Sequence, residues 1–200
     1  MEARNNVLML AGPSPDIGKS FVTGNLASVI AQGEQKVLLI DADMRKGHLH
    51  DYFSVDKTGL SDYLSGQKDR QSIIVKSKQH GLDFIARGQV PPNPSELLMH
   101  PRFAELLEWA SENYDLVLVD TPPLLAVTDA AIVGSLAGTT LLVARFAVTV
   151  AKEVEITQRR LEQNGIEVKG VILNAIERRA ASYYGGSYGY YQYNYQNSKN

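Results

Sequence analysis

A glycine- and proline-rich segment from Gly12 to Ser20 carries the residue types of a phosphate-binding loop. An apolar run that predicts a strand precedes it and a predicted helix follows, so backbone N–H groups and the helix dipole point at one spot. Gly18 permits close approach, Lys19 can reach the β- and γ-phosphates, and the Ser20 hydroxyl can ligate Mg²⁺. The usual pattern has glycine where this chain has Pro13. The segment predicts a nucleotide-phosphate site, the alternative being an ordinary turn with a surface lysine.

Three aspartates stand at the ends of two later apolar runs. Asp41 and Asp43 follow the run that begins at Val37, and Asp120 follows the run that begins at Leu116. Residues two apart on an extended chain face the same way, and Asp120 can converge on them from another strand. Three carboxylates repel one another unless a cation is present, and Mg²⁺ is commonly held by carboxylates together with phosphate oxygens. The cluster therefore predicts a bound magnesium nucleotide. The alternative, that each aspartate caps the segment that follows it, explains any one of the three easily but all three together poorly.

The nucleotide contacts are expected in the loop and at the end of a late strand. Guanine-binding P-loop proteins usually carry an Asn-Lys-x-Asp strand end, and here the comparable strand ends Asn174-Ala175-Ile176. We therefore expect ATP, with Asn174 as a candidate partner of the adenine ring, although a turn residue that closes a strand explains it equally well. The expected contacts are Ser14, Asp16, Ile17, Gly18, Lys19, Ser20, Phe21 and Asn174.

Short apolar runs alternate with segments of helical period along the chain. Strand alternating with helix implies parallel pairing, and hence an α/β fold with a mostly parallel sheet flanked by helices on both faces. Ligands of such sheets bind at the carboxyl ends of the strands. The predicted strands, each buried on both faces, are Val7–Ala11, Val37–Ile40, Leu82–Ile85, Leu116–Val119, Leu141–Ala144 and Val168–Leu173. The predicted helices are Phe21–Gln32, Phe103–Asn113, Asp129–Leu136 and Val150–Gln163, the last with Val150, Val154 and Leu161 on one face.

Two segments break this alternation. The stretch Arg87–Ser95 has three prolines between positions 91 and 94 and predicts a stiff, extended surface loop. The stretch Tyr183–Tyr195 has seven tyrosines in thirteen residues and no aliphatic residue, so we expect a disordered tail. These features divide the chain into a P-loop domain, residues 1–180, and a tyrosine-rich tail, residues 181–200.

Composition narrows the classes of partner. The formal net charge is −2 and there is no long basic run, which argues against nucleic acid as a ligand. There is no cysteine, so disulfides and thiolate metal sites are excluded, and the cytoplasm is the expected compartment. No apolar run approaches the roughly 18 residues that span a bilayer, and the first residues do not form a signal peptide.

These motifs together resemble the bacterial tyrosine kinases that control polysaccharide export, in particular the cytoplasmic kinase domain of the Wzc type. The matching segments are GPSPDIGKS, LLIDADMR with Asp41, Asp43 and Arg45, LVLVDTPP with Asp120, RGQVPPNPSELL, and the terminal tyrosine cluster. The resemblance covers nearly the whole chain. It implies a P-loop NTPase fold of the MinD/ParA-like branch, unrelated to eukaryotic protein kinases.

The resemblance also implies roles for individual residues. Lys19 and Ser20 would hold the phosphates and Mg²⁺, Asp43 and Asp120 would serve the metal, and Asp41 would be the base toward a tyrosine hydroxyl. The expected product is a tail phosphorylated by a neighbouring subunit at Tyr183, Tyr184, Tyr188, Tyr190, Tyr191, Tyr193 and Tyr195.

The family context sets expectations about assembly and location. Such kinases usually have an upstream helix that seats subunits in a ring, and a transmembrane part; neither lies in this chain. We expect a cytoplasmic domain of an inner-membrane protein, a ring-like homo-oligomer of the full-length protein, a cognate tyrosine phosphatase and the polysaccharide export machinery as partners.

Two other functions are compatible with the same fold. A MinD/ParA-like ATPase switch places a second lysine five residues before the conserved one, at the position of Ser14 in this chain. A non-catalytic nucleotide-sensing module could use the aromatic tail to bind a partner. Phosphotyrosine in the tail after incubation with Mg-ATP distinguishes the kinase from both alternatives.

Overall fold

The protein is described by a computed structural model that covers residues 3–76 and 81–177. Its strands are β1 Val7–Ala11, β2 Val37–Asp41, β3 Ile74–Lys76, β4 Leu82–Ile85, β5 Leu116–Asp120, β6 Thr139–Arg145 and β7 Val168–Asn174. Its helices are α1 Lys19–Ala31, α2 Leu49–Phe53, α3 Leu60–Leu64, α4 Arg70–Ile73, α5 Pro94–Met99, α6 Pro101–Asn113, α7 Asp129–Leu136 and α8 Ala151–Glu162.

The strands form one sheet in the order β3-β4-β2-β5-β1-β6-β7. All neighbouring strands are parallel except β3, which pairs antiparallel with β4. Parallel strands bring their carboxyl ends to a single edge, so the segments that follow β1, β2 and β5 meet there. The predicted α/β sheet is confirmed, and the loop after β1 lies between the ends of β5 and β6.

Apolar side chains cover both faces of this sheet. One core lies under α1, where Ala27 and Ala31 pack near Leu39 and Phe84. The other core lies under α6 and α7 and contains Phe103. The central strands are buried on both faces, as expected for a parallel sheet covered by helices.

The region between β2 and α6 contains structure that the sequence pattern does not predict. The strand β3 and the four short helices α2, α3, α4 and α5 all lie there. The predicted extended loop Arg87–Ser95 is wrong at its end, because α5 begins at Pro94. Proline suits the first turn of a helix, where its missing N–H is not required. The Asn93 amide also donates to Glu96 Oε2 at 2.8 Å.

Two predictions about burial are also wrong. The edge strand β7 is not buried on both faces, since Val171 and Leu173 are 52% and 49% exposed. Val150 precedes α8 and is exposed, so only Val154 and Leu161 of the predicted apolar face pack inward. The backbone N–H of Val150 instead donates to Glu153 Oε2 at 3.1 Å, which begins the helix.

The tail and its boundary at residue 180 lie outside the described residues, so the proposed division of the chain stays a prediction. Among the helices of the described segments, none combines the length and the apolar character needed to cross a membrane.

Candidate nucleotide-binding site

The loop between β1 and α1 has a backbone shape that depends on glycine. Gly18 has a φ of 83°, in the left-handed region, and a Cβ there would overlap the side-chain amide of Asn174. That amide donates to the Ile17 carbonyl at 3.0 Å, and Arg145 Nη1 donates to the Asp16 carbonyl at 3.0 Å. The second half of the loop is therefore tied to the ends of β6 and β7.

The first half of the loop is tied to the segment after β5. The Gly12 carbonyl accepts from Leu124 N at 2.9 Å, and the Pro13 carbonyl accepts from Leu125 N at 3.1 Å. Pro13 is buried and contributes only its carbonyl, so the departure from the usual glycine leaves this anchoring intact. Ser14 is half-buried at the start of the turn.

Three side chains from α1 converge on the buried carboxylate of Asp120. Lys19 Nζ lies 2.6 Å from Asp120 Oδ1, and the Ser20 hydroxyl donates to Asp120 Oδ2 at 2.6 Å. The Thr23 hydroxyl lies 3.0 Å from Asp120 Oδ1 and 2.9 Å from the Lys19 carbonyl. The predicted convergence of Lys19, Ser20 and Asp120 is present. Thr23 was missed, although its position four residues after Lys19 places it on the same helix face.

Asp41 lies beside this group and has no exposed surface. Its Cα is paired with that of Asp120 across the parallel strands β2 and β5. Burial, and secondarily the nearby Asp120, raise the pKa of Asp41 to about 8. The Leu49 N–H, which donates to the Asp41 carboxylate at 3.2 Å, and the charge of Lys19 partly offset this effect. The Asp43 N–H also donates to this carboxylate at 3.2 Å.

Asp43 belongs to a turn rather than to the strand, because β2 ends at Asp41. Its Oδ1 accepts from Arg45 N at 3.1 Å and from Lys46 N at 2.9 Å. Alternation along a strand therefore does not place Asp43 on the same side as Asp41. The charge of Asp43 nevertheless contributes to the raised pKa of Asp41. Within residues 3–76 and 81–177, no group of three acidic or histidine side chains forms a metal cage by itself.

A glycine and an ion pair with a buried aspartate position this turn. A Cβ on Gly47 would overlap both carboxylate oxygens of Asp41. Arg45 donates to Asp129 through Nε at 2.9 Å and through Nη2 at 3.1 Å, and the Ser95 hydroxyl donates to Asp129 at 2.6 Å. Asp129 is fully buried, so this network joins the acidic turn to the first residues of α5 and α7. Neither the role of Gly47 nor the pairing of Arg45 with Asp129 was predicted from the sequence.

The remaining predicted contacts differ in their placement. Phe21 is 60% exposed beside Ser20, where a base or sugar could pack against it. Asn174 uses its amide nitrogen on Ile17 and its side-chain oxygen on Ala175 N, at 2.8 Å. This bonding explains Asn174 as a residue that closes β7 and supports the loop, and its contact with adenine stays a prediction.

Comparison with known proteins agrees with this geometry. Residues 14–144 match the AAA domain family. The tyrosine-protein kinase wzc of Salmonella typhimurium is 60% identical over 197 residues, which are 98% of this chain and 27% of that protein. The chain thus spans about a quarter of the length of this curated relative.

Solved structures give the same assignment. The kinase domain of the Escherichia coli tyrosine kinase ETK has a TM-score of 0.87 and 55% identity, covering 95% of this chain and 74% of the other. The septum site-determining protein MinD of Pyrococcus horikoshii, complexed with Mg-ADP, has a TM-score of 0.72 and 21% identity, covering 88% and 76% of the two chains, and shows likeness of fold alone. The loop, its Lys19–Asp120 pair and these similarities establish that the chain belongs to the bacterial tyrosine kinase family and corresponds to its kinase domain.

Proposed function

We propose that this domain binds ATP with Mg²⁺ and transfers the γ-phosphoryl group to tyrosine hydroxyls. Lys19 Nζ and the Ser20 hydroxyl each lie 2.6 Å from a carboxylate oxygen of Asp120, at the end of the loop between β1 and α1. This convergence is the observation that carries the proposal. A lysine, a hydroxyl and a carboxylate at a helix N-terminus are the groups that hold a nucleotide triphosphate and its metal.

The donor set fits a magnesium ion. Ser20, Asp120 and Asp43 offer hard oxygen ligands, and phosphate oxygens and water would complete the coordination of an ion that rarely has an all-protein cage. Burial and the nearby Asp120 raise the pKa of Asp41 although the Lys19 ammonium lies in the site, so a bound cation would further stabilise the ionised carboxylates. A bound Mg²⁺ would neutralise charge on the phosphates during transfer.

Asp41 is proposed as the base that accepts the proton of the tyrosine hydroxyl. Its carboxylate lies in register with Asp120 and is held by Leu49 N. Lys19 lowers the pKa of Asp41, and additional positive charge in the site acts in the same direction. Additional positive charge therefore increases the fraction of Asp41 that is ionised and can accept a proton, while Lys19 supplies the charge that positions the transferred group.

The proposed acceptors are the tail tyrosines of a neighbouring molecule, namely Tyr183, Tyr184, Tyr188, Tyr190, Tyr191, Tyr193 and Tyr195. Subunits held side by side supply a high effective concentration of tail, which favours transfer between molecules. We further propose that the full-length protein is a ring-forming inner-membrane protein with this domain in the cytoplasm. Its proposed role is regulation of capsular or exopolysaccharide synthesis and export, opposed by a tyrosine phosphatase.

A mixing experiment tests both the reaction and its direction. Lys19→Met protein, which keeps its tail but loses the phosphate-binding lysine, is mixed with a chain whose seven tail tyrosines are replaced by serine. Phosphotyrosine should appear on the Lys19→Met chain at a rate that rises with concentration, as mapped by mass spectrometry.

Three other outcomes would contradict parts of the proposal. The mixture could stay unmodified while the parent protein is phosphorylated at a rate per molecule that does not depend on dilution. This outcome would show that transfer occurs within one chain. Release of ADP without phosphotyrosine would favour an ATPase switch, which the serine at position 14 argues against. Formation of neither ADP nor phosphotyrosine would favour a nucleotide-sensing module.

A further inference from the structure

The edge strand β7 exposes an apolar surface beside the nucleotide site. Among the described residues β7 pairs only with β6, so its outer edge has no strand partner there. Val171 and Leu173 are about half exposed and lie on the same face, because they are two residues apart on a strand. Val148 and Val150, at 56% and 57% exposure, follow β6 at the same corner of the sheet. Lys169, on the same face, protects the far end of the strand, whereas the half that ends at the nucleotide site carries only apolar residues on this face and can accept an added strand.

The direction of β7 connects this edge to the chemistry. Its last residue, Asn174, contacts the phosphate loop through Ile17, so the strand ends at the site. A peptide added along β7 would therefore have one end beside the proposed γ-phosphate position. Strand addition of this type obtains affinity from backbone hydrogen bonds and specificity from alternate side chains.

The chain contains a segment with the matching pattern. Tyr191, Tyr193 and Tyr195 alternate with Gln192 and Asn194, so an extended backbone would present the three rings on one face and the amides on the other. Aromatic residues pair well with β-branched and aliphatic neighbours across strands. The described chain ends at Glu177, three residues after β7, and residues 178–200 follow it.

We propose that the tail segment Tyr188–Tyr195 of a second molecule adds to the outer edge of β7, with its tyrosine face against Val171 and Leu173. This inference rests on the proposed function and deepens it by naming the surface that receives the substrate. The uniform spacing of the three tyrosines has a consequence for catalysis. A register shift of two residues, about 6.6 Å, replaces one tyrosine by the next while keeping the same face inward.

Reach alone does not decide whose tail docks on β7. The strand is about 23 Å long, and residues 178–190 extend to at most about 43 Å, so a molecule's own tail can double back and lie along the same edge. Subunits held side by side supply the tail of a neighbour without this reversal and at a high effective concentration, which favours the neighbour as the occupant. Phosphotyrosine on the Lys19→Met chain of the mixture supports this occupant, and its absence there overturns it.

The test uses a synthetic peptide of residues 187–197 carrying a fluorophore, and the full chain whose seven tail tyrosines are serine. Fluorescence anisotropy should show saturable binding that weakens about tenfold or more in Val171→Lys and Leu173→Lys, because lysine removes the apolar contact and protects an edge from strand addition. Val29→Lys is the control, since Val29 is 64% exposed on α1. In the mixing assay the two β7 variants should raise KM for the Lys19→Met chain and leave kcat unchanged.

A second measurement addresses the backbone. Peptides with N-methyl groups at Gln192 and Asn194 are compared with peptides methylated at Tyr191 and Tyr193; strand addition predicts that one set loses binding and the other keeps it. Equal binding of both sets, equal binding of the β7 variants and the parent, or no saturable binding to the parent each overturns the proposal. Peptide binding at β7 without phosphotyrosine formation would retain the docking surface and refute the kinase function.

Discussion

Replacing Asp41 by asparagine should change the pH dependence of stability in the absence of nucleotide and metal. The folded protein keeps the Asp41 proton until about pH 8, while the unfolded chain releases it near the ordinary value of 3.8. The unfolded state therefore binds fewer protons between these values, and the free energy of unfolding falls as pH rises through this window. Asparagine does not titrate, so the variant lacks this loss.

The size of the effect follows from the separation of the two values. Each unit is equivalent to about 1.4 kcal/mol, so the penalty on the parent increases by roughly 3 kcal/mol between pH 5 and pH 7. For a domain of this size, 1 kcal/mol corresponds to about 2–4 °C in Tm. The difference in Tm between Asp41→Asn and the parent should therefore widen by roughly 6–12 °C over these two pH units.

The assay is thermal unfolding at pH 5, 6, 7 and 8 with a chelator present and no nucleotide. Glu105→Gln is the matched control, since it also neutralises one carboxylate but on the exposed face of α6. A difference in Tm that stays constant from pH 5 to pH 8 would show that Asp41 is already ionised in the free protein. Burial and the charge of Asp120 would then not be raising the pKa of Asp41. At pH 7.5 with Mg-ATP, the same variant should bind nucleotide but form little phosphotyrosine.

Two further predictions concern the residues that position the acidic turn. Gly47→Ala should lower kcat for phosphotyrosine formation about tenfold or more while nucleotide affinity changes little, because its methyl group displaces the Asp41 carboxylate. Gly170→Ala is the control, since its added Cβ makes only an ordinary contact, 3.5 Å from Leu141 Cδ2, and equal kcat values for Gly47→Ala and the parent would contradict this role. Asp129→Asn should lower Tm by about 2–6 °C, because it breaks a buried pair whose arginine partner is partly hydrated. If the Tm of Asp129→Asn in buffer without urea equals that of the parent, the pair of Arg45 with Asp129 contributes nothing to stability.

Much of the sheet could be predicted because each central strand is a continuous apolar run. The bounds of β1 and β4 agree with the prediction to the residue, and β2 and β5 differ only by the aspartate that ends each strand. The helices α2 to α5 could not be predicted, because helices of four to six residues have no measurable period. Long-range bonds hold them instead; Leu60 N, for example, donates to the Ala86 carbonyl at 2.7 Å.

The residues of the candidate site likewise include some that could be predicted from the sequence and some that could not. Lys19, Ser20 and Asp120 could be placed together because strand order brings the ends of parallel strands to one edge. The pair of Arg45 with Asp129 joins residues 84 apart in sequence, and no local pattern records such a pairing. The exposed face of β7 was also missed, since its apolar run resembles that of a buried strand.

The two aspartates that face each other at the ends of β2 and β5 have unequal surroundings, and this inequality suggests how the site responds to its ligand. Asp120 is satisfied by an ammonium group and two hydroxyls, which allows a carboxylate to remain fully buried. Asp41 has only backbone N–H donors at 3.2 Å, and burial beside Asp120 raises its pKa. A bound Mg²⁺ would favour the ionised form of Asp41, and the phosphate oxygens that accompany it would act in the opposite direction. Under the proposed function, Asp41 accepts the tyrosine proton where the charge of the metal prevails, which links the base to the metal that the phosphoryl donor brings.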